Sequence, residues 1–520
     1  MNRKYIVYDI IFILFVTTAC HILFSRYGFN PTDEGFVLSA TNRVMHGQIP
    51  HVDFSSVRPM GYAYLHIPEL LISKNYFFLI SRFVFWLENV LIAFLWVRLI
   101  YRFRAMKNEK SMEPVNRQIF YLLTILTFIF NVHYFPCSVL HTIDGLLFCL
   151  VGLNIIISQN KFSFAGFFFI GFAALCKQNY LLVLPVALIL LGRKHVLLNL
   201  IAGIFPILLY IVLICSFGGW NDLTTQLTGH NELLEVGFKK YLFNYFFIIG
   251  IAAAIAVRKL KAPVHLYTGG LLLLLTVLLL SGHYHGSMSF LIMGILLAEY
   301  FYATKNSRTI ILICLTLAWC VSISVGYNTP ALFSGACFSL LIIGLNDDKA
   351  WQRKSVSLIS LGLLFGLFHA VRSHLIYRDA PASALTYKLN GIVEGADGIY
   401  TNKNTFEVLL ELDSLKKTAP ALVVIPDFTA CNVLHAFQSK IRTEWPNKTE
   451  IPNKKIQAKV ISQIKNDPSL VFAIPKYQTA LLKDGYVKIP NNGYGYPIVR
   501  FVKDHYPEEN ETRFFVLRRR

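Results

Sequence analysis

Between residues 5 and 375, long apolar runs alternate with short polar turns, and this alternation constrains the fold more than any other feature. A helix needs about 20 apolar residues to cross a bilayer. The chain is 55% hydrophobic and only 15% charged, whereas soluble globular proteins carry about 25% charged residues. The pattern therefore predicts an α-helical polytopic membrane protein.

The apolar runs predict about thirteen transmembrane helices. They lie near residues 5–25, 77–100, 118–134, 143–158, 163–176, 180–192, 196–217, 242–257, 264–281, 287–304, 308–326, 331–345 and 355–375. The first run follows Arg3 and Lys4 and has no cleavage site of small residues. We therefore interpret it as an uncleaved span that begins in the cytoplasm.

The loop charges agree with this topology, because lysines and arginines concentrate in alternate loops. The opposite loops carry acids, histidines and glycines, and the first of these outer loops is long, at residues 26–76. An odd number of spans places the C-terminus outside the cytoplasm. The net charge of +19 then serves to orient helices, and we expect no nucleic-acid partner.

The composition changes after the predicted transmembrane domain, residues 1–375. Residues 376–520 predict a soluble, extracytoplasmic mixed α/β domain. Short apolar runs at 421–426, 469–475 and 497–503 predict buried strands, and two amphipathic helices are predicted at 401–417, capped by Thr401 or Asn402, and at 453–467. The sequence of this domain contains no nucleophile elbow, glycine-rich phosphate loop or metal-ligand cluster, so we interpret it as an accessory domain.

An adjacent acidic pair, Asp33 and Glu34, opens the first outer loop just after the first span. Ionisable residues held against a bilayer are costly, and many are functional. One of these carboxylates is placed to act as a general base toward a hydroxyl. The pair also suits the start of a helix predicted over residues 34–47, where acids are stabilising, so both interpretations stay open.

The stretch that begins at this pair resembles the first outer loop of the GT-C membrane glycosyltransferases. It is most similar to the bacterial branch related to protein O-mannosyltransferases and to the aminoarabinose transferase of lipid A. In that family an acidic pair follows the first span, and a small helix then ends in a G-x-x-P-Y-x-D-like turn. The turn here is Gly47–Phe54, with His51 in place of the aromatic residue, and Arg58–Tyr62 follows it. The match covers about 40 residues.

The resemblance implies a GT-C-like bundle in a bacterial plasma (inner) membrane and an inverting transfer of sugar. The donor would be a polyprenyl-phosphate sugar, and the acceptor a glycan, lipid or protein at the outer face. Asp33 would be the base, with Glu34 supporting it. A divalent metal is possible in such a family but is not favoured here, because a single Asp-Glu pair suits metal-independent catalysis better than a cation cage.

Four side chains are candidates for binding the donor phosphate: Arg58, Lys177, His283 and His285. An arginine fork grips phosphate oxygens bidentately, and glycines flank the two histidines. Arg58 is equally consistent with a solvated loop residue, and Lys177 with a lysine that snorkels to the interface. The histidines also suit contact with lipid headgroups, and two ligands are too few for a zinc site.

Four more side chains are candidates for the acceptor or sugar site: Asp144, His141, Asp53 and Tyr327. Asp144 lies at the outer end of a span, where it also suits the N-cap of a helix. Two other functions stay open. A transporter or flippase would need ionisable residues deep within spans, and a non-catalytic scaffold of the same fold would not need Asp33.

Overall fold

The computed structural model describes the chain except for residues 1–2, 106–116, 134, 159–161, 193–194, 230–232, 261–269, 271–273, 275–285, 323–329, 345–362, 440, 444, 448–449 and 491–495. The described chain is mostly helical, and its strands lie towards the C-terminus. The predicted span at residues 264–281 falls almost wholly outside the described residues, and that at 355–375 does so in part.

Helices fill the chain as far as residue 374. They are α1 (Arg3–Phe24), α2 (Phe36–Met45), α3 (Gly61–Leu65), α4 (Ile67–Ile72), α5 (Phe77–Ala105), α6 (Arg117–Val132), α7 (His141–Ile157), α8 (Ser163–Cys176), α9 (Val183–Leu191), α10 (Val196–Ser216), α11 (Trp220–Leu227), α12 (Leu233–Leu242), α13 (Tyr245–Lys259), α14 (Ser287–Tyr302), α15 (Lys305–Ser322), α16 (Ser334–Gly344) and α17 (Leu363–His374). Short 3₁₀ helices at Gln178–Leu182 and Ala331–Phe333 precede α9 and α16.

Among the described residues, three helices are long and apolar enough to cross a membrane: Tyr5–Phe24 within α1, α5, and α10. Six further apolar stretches are shorter, at 10–17 residues. The predicted count of about thirteen spans is therefore not supported, although a membrane protein is compatible with these helices. The short runs lack the length to cross about 30 Å of hydrocarbon as straight helices.

Glycines let neighbouring helices approach closely. A Cβ atom added at Gly152 of α7 would lie 2.4 Å from the carbonyl oxygen of Gly166 of α8. A Cβ atom at Gly294 of α14 would lie 2.1 Å from the carbonyl oxygen of Phe247 of α13. Contacts this close need small residues at the crossing point, as in other packed apolar helices.

The C-terminal part contains helices α18 (Lys403–Thr418), α19 (Lys454–Asn466) and α20 (Pro497–His505), and strands β1 (Tyr387–Lys388), β2 (Tyr400–Thr401), β3 (Leu422–Val424), β4 (Val471–Pro475), β5 (Glu508–Glu511) and β6 (Phe515–Arg519). The main sheet has the order β3-β4-β6-β5, with β3 and β4 parallel and the other pairs antiparallel. The predicted strands at 421–426 and 469–475 and both predicted helices are confirmed. Asn402 caps α18 by accepting a hydrogen bond from the backbone of Thr405.

The predicted strand at 497–503 is wrong, because this segment begins helix α20. Its buried residues are Ile498, Val499, Phe501 and Val502. They lie one, three and four residues apart, which is the spacing of one helix face, and Pro497 occupies the first turn, where proline is well tolerated. Strands β5 and β6 were not predicted. The outermost strand, β5, is a fully exposed Glu-Glu-Asn-Glu sequence, which protects the sheet edge by charge.

The C-terminal part packs directly on the loop between α1 and α2. Backbone hydrogen bonds join Gly28 to the carbonyl of Tyr400 (2.9 Å) and Ala430 to the carbonyl of Pro31 (3.0 Å). Gly35 faces the same contact, since a Cβ atom there would lie 2.3 Å from the Cα atom of Ala430. The loop that contains the acidic pair is therefore fixed by the last third of the chain.

Replacing Gly35 by alanine should loosen this contact. Gly35 has φ −87°, which suits alanine, so the cost is the steric overlap with the backbone of Ala430. Overpacking of this kind costs about 1–3 kcal/mol. We expect a lower unfolding midpoint and faster protease release of the C-terminal part. Gly366→Ala in α17 is the control, because a Cβ atom there meets nothing within 4 Å. Equal behaviour of the two variants would contradict the contact.

Candidate functional site

Asp33 lies at the centre of a small hydrogen-bonded group between the first loop and the chain after α17. Its Oδ2 atom accepts hydrogen bonds from Asn30 Nδ2 (2.9 Å) and the hydroxyl of Tyr377 (2.9 Å). Arg378 Nη1 lies 3.0 Å from the same oxygen, and the Asp33 side chain is 20% exposed. In the described part of the chain, Oδ1 makes no hydrogen bond. Oδ2 is therefore fixed by three donors, whereas Oδ1 has no hydrogen-bond partner among the described residues.

The acidic pair does not cap the following helix. Helix α2 begins at Phe36 with Gly35 as N-cap, and no side chain caps it. The interpretation of the pair as a helix cap is therefore wrong. Asn30 organises the loop instead, since its Oδ1 accepts the backbone N–H of Thr32 (3.1 Å) while its amide holds Asp33.

Glu34 has a different environment from Asp33. It is 7% exposed, and its Oε1 accepts a hydrogen bond from Arg82 Nε of α5 (2.5 Å). Arg82 also donates to the carbonyls of Ser25 and Gly28, where α1 ends. This buried ion pair fixes the backbone next to Asp33.

A small cavity opens beside Asp33, and we call it the Asp33 cavity. Its enclosed space is about 40 Å³, enough for one or two water molecules, so a sugar must bind at its mouth or widen it. Two of the basic side chains near Asp33 line this cavity, and a third, Arg378, does not. Arg82 and Arg372 line it but donate to backbone carbonyls. Arg378 pairs with Asp33 and keeps 35% of its side-chain exposure.

A second acid, Asp427, lies near this site, three residues after the end of β3. Its Oδ1 is buried without a partner in the described chain, and its Oδ2 lies 3.4 Å from Thr479 Oγ1. Thr479 in turn contacts the hydroxyl of Thr32 (3.2 Å), next to Asp33. Burial raises the pKa of Asp427 to about 7, and the charge of Asp33 adds to this, whereas Arg378 opposes it.

The stability of the protein should therefore depend on Asp427 between about pH 4 and 7. The folded state holds a proton there that the unfolded chain, with a pKa near 3.9, has lost, so stability falls as pH rises through this window. Asp427→Asn should abolish this slope and be more stable than wild type at about pH 8, by at most about 4 kcal/mol. Unfolding midpoints across pH measure this, with exposed Asp484→Asn as control. A slope that persists in Asp427→Asn would exclude the assignment.

Arg58 is paired within the protein rather than solvated, so the interpretation as an exposed loop arginine is wrong. It is 8% exposed, and its Nη1 donates to Oε1 (2.8 Å) and Oε2 (2.9 Å) of Glu450. Its guanidinium also lies over the ring of Phe36, 5.3 Å from the centroid. Arg58 does not line the Asp33 cavity.

Lys177 and His141 are buried near Arg58. Lys177 is 3% exposed and donates to the carbonyls of Cys320 (3.0 Å) and Val321 (3.3 Å), so it does not snorkel to an interface. His141 is 7% exposed, and neither ring nitrogen has a hydrogen-bond partner among the described residues. Next to Lys177, Gln178 donates to the carbonyl of Val57 (3.2 Å), and the Tyr180 hydroxyl donates to the carbonyl of Thr142 (2.6 Å). The chain segments that carry Arg58, Lys177 and His141 therefore pack against one another.

Asp144 is completely buried in the first turn of α7, and Leu140, not Asp144, is the N-cap. The Nε2 of His66 lies 3.3 Å from Asp144, and its Nδ1 lies 2.6 Å from Glu69. Glu88 of α5 lies against Asp144 as well. Three carboxylates therefore surround one imidazole inside the bundle, and Asp144 is not open to an acceptor.

The remaining predicted site residues contribute little to this picture. Asp53 is exposed, and its Oδ2 accepts the backbone N–H of Ile49 (2.6 Å), which closes the turn before it. His283, His285 and Tyr327 lie outside the described residues. In the part of the chain that the structure describes, no group of three or more His, Cys, Asp or Glu side chains is placed to hold a metal ion.

Sequence reasoning missed Arg82, Glu88, Arg378, Asp427 and Glu450. The first two had a signal, because charges inside the apolar run Phe77–Ala105 are costly and mark internal partners. Asp427 directly follows a predicted strand, a common position for site residues. Nothing local marks Glu450, whose partner is 392 positions away.

In comparisons with known proteins, no family model, no curated protein and no solved structure matches this chain.

Proposed function

We propose that this protein is an inverting glycosyltransferase of the membrane that moves a sugar from a polyprenyl phosphate to an acceptor hydroxyl. The observation that best supports this proposal is the environment of Asp33, which lines a cavity: its Oδ2 is held by three donors, and its Oδ1 has no hydrogen bond among the described residues. A general base needs such a fixed carboxylate with one oxygen free to receive a proton. Support also comes from the resemblance of the first outer loop to the GT-C enzymes.

In the proposed reaction, Oδ1 of Asp33 accepts the proton of the acceptor hydroxyl. The hydroxyl oxygen then forms a bond to the anomeric carbon on the face opposite the phosphate. The bond from that carbon to the phosphate oxygen breaks, and its electron pair leaves with the lipid phosphate, which inverts the anomeric centre. The acceptor is a glycan, lipid or protein, and no metal ion takes part in the proposed steps.

The leaving phosphate needs a cation that stabilises its growing charge. Arg378 is a half-buried arginine whose Nη1 lies 3.0 Å from Oδ2 of Asp33, so it is the cation we assign to this charge. Arg82 and Arg372 are already engaged by backbone carbonyls and act as fixed positive charges in the wall. Arg58 and Lys177 remain proposed phosphate ligands, as do His283 and His285.

The location belongs to the same proposal. We place the N-terminus in the cytoplasm and the C-terminal part outside, in a bacterial plasma membrane, because basic residues occupy alternate loops of the sequence. The Asp33 loop and the C-terminal part would then meet at the outer face, where lipid-linked donors are presented to acceptors.

One observation favours a second candidate, a transporter of lipid-linked sugars. Transporters carry ionisable groups inside the bundle, and the cluster of His66, Glu69, Glu88 and Asp144 is such a group. The non-catalytic scaffold stays a third alternative.

Asp33→Asn tests the proposed function, because it keeps the size of the side chain and removes the proton acceptor. We expect sugar transfer to fall about 10²–10⁴-fold, with the unfolding midpoint almost unchanged. The measurement is transfer from a radiolabelled polyprenyl-phosphate sugar in nanodiscs, with Asp484→Asn as the control. Unchanged transfer in Asp33→Asn would exclude the base. Lipid translocation in proteoliposomes by both wild type and Asp33→Asn, without transfer, would favour the transporter.

A further inference from the structure

A cavity much larger than the Asp33 cavity lies in the C-terminal part, and we call it the β3 groove. Its volume is about 670 Å³, which falls in the range of ligand-binding pockets, about 300–1,000 Å³. Helix α18 and the 3₁₀ helix Thr429–Gln438 both contribute to its walls. Residues 421–425, which contain the whole of β3, line it as well. The two cavities share no lining residue.

Strand β3 is an outer strand of the main sheet, and β4 is its one neighbour there. The carbonyl of Ala421 and the N–H of Ile425 bond to backbone groups of β4 (3.2 and 3.0 Å). In a parallel ladder, alternate residues of a strand bond to the same neighbour. Ala421, Val423 and Ile425 therefore face β4, whereas Leu422 and Val424 direct their backbone groups to the opposite edge.

This opposite edge has one unused donor and two unused acceptors. The N–H of Leu422 donates to the carbonyl of Ala419 (2.9 Å). The carbonyl of Leu422 and both backbone groups of Val424 have no hydrogen-bond partner in the described parts of the chain. Val424 is only 2% exposed, and backbone groups buried this deeply are nearly always paired. The edge therefore offers hydrogen bonds that a further strand would satisfy.

The side chains of the groove suit an extended peptide. Leu409 and Leu412 of α18 line it and are each 1% exposed, so part of the lining is apolar. Glu394 and His435 pair at 3.0 Å with more than half of each side chain exposed, and Lys417 is 70% exposed, so the rim is charged. Because alternate side chains of a strand point to opposite sides, one set can contact the leucines while the other meets the rim. The rim carries both signs of charge, which favours a peptide with little net charge.

Contacts across the groove and behind it fix its walls. Lys416 of α18 donates to the carbonyl of Cys431 in the 3₁₀ helix, and so joins the two walls. On the side of the first loop, the amide of Asn42 in α2 donates to the carbonyl of Leu434 (3.0 Å). The groove is therefore formed before a partner arrives, which lowers the entropy that binding must overcome.

We propose that the β3 groove binds an extended peptide segment of another protein, which adds to the sheet as a strand beside β3. In an antiparallel addition, one residue of the peptide exchanges both N–H···O bonds with Val424. The residue two positions later in the peptide donates its N–H to the carbonyl of Leu422. These main-chain bonds supply affinity, and contact with the leucines selects apolar side chains at alternate positions. The proposal does not depend on the proposed function.

A fluorescein-labelled peptide of three Thr-Val repeats with blocked ends tests the proposal. Its binding to the full-length protein in nanodiscs is followed by fluorescence anisotropy, and we expect saturation. Two derivatives are the matched pair, one with N-methyl groups on every threonine and one with them on every valine. These groups lie on opposite edges of the extended peptide, so one derivative should bind about tenfold more weakly than the other, because it loses two hydrogen bonds. Equal affinities of the two derivatives, or no saturable binding of the parent peptide, would overturn the proposal.

Val424→Pro tests the same bonds from the side of the protein. Proline removes the N–H that faces the groove and leaves the bonds to β4, as edge strands tolerate. Val424→Ala is the control, because it also loses part of the side chain but keeps the N–H. We expect the parent peptide to bind about tenfold more weakly to Val424→Pro than to Val424→Ala. Equal binding would contradict strand addition, and if Val424→Pro does not fold, the two N-methylated derivatives still decide with the wild type.

The molecular mass of the protein in solution distinguishes a foreign peptide from a second copy of this chain. A wild-type dimer that Val424→Pro converts to a monomer, while Val424→Ala stays dimeric, would assign the edge to a second copy and overturn the proposal. We expect the same mass for all three proteins. Peptide binding requires no sugar transfer, so this proposal can fail while Asp33 remains the base, and the reverse also holds.

Discussion

The Arg82 guanidinium is the interaction on which the rest of the site depends. It joins α5 to the carbonyls at the end of α1 and to Glu34 in the loop between α1 and α2. Arg82 is 3% exposed, and removal of either partner of a buried ion pair leaves an uncompensated charge that costs about 3–5 kcal/mol. These contacts fix the loop relative to the helices. They thereby also fix the position of Asp33, the residue before Glu34.

The same loop is fixed from its other side by the C-terminal part. Gly35 permits backbone contact with Ala430, and Asn42 and Arg43 of α2 donate to backbone carbonyls of the segment that ends at Ile441. The main apolar core also continues from the helices into the C-terminal part, through residues such as Phe428 and Phe515, while a second core fills the space between the sheet and helices α19 and α20. The C-terminal part is thus a wall of the candidate site, which gives the predicted accessory domain a physical role.

The polar residues of the molecule separate into three groups with different electrostatic character. Around Asp33 acids are balanced by arginines, Arg58 is buried against Glu450, and the cluster around His66 gathers three carboxylates. In a low-dielectric bundle each group must approach neutrality by itself. This requirement explains why Arg58 acquired a partner from the distant C-terminal part.

The sequence by itself determined the elements whose signal is local. Periodicity and caps placed α2, α18, α19, β3 and β4, and composition indicated a helical chain with long apolar stretches. Position next to the first helix singled out Asp33. Apolar content alone does not fix the number of spans, because a buried helix and a spanning helix are both apolar. Only the tertiary structure decided the partners of the charged side chains, from Glu34 with Arg82 to Arg58 with Glu450. Pairing between distant residues depends on which surfaces pack together, and no local pattern records that.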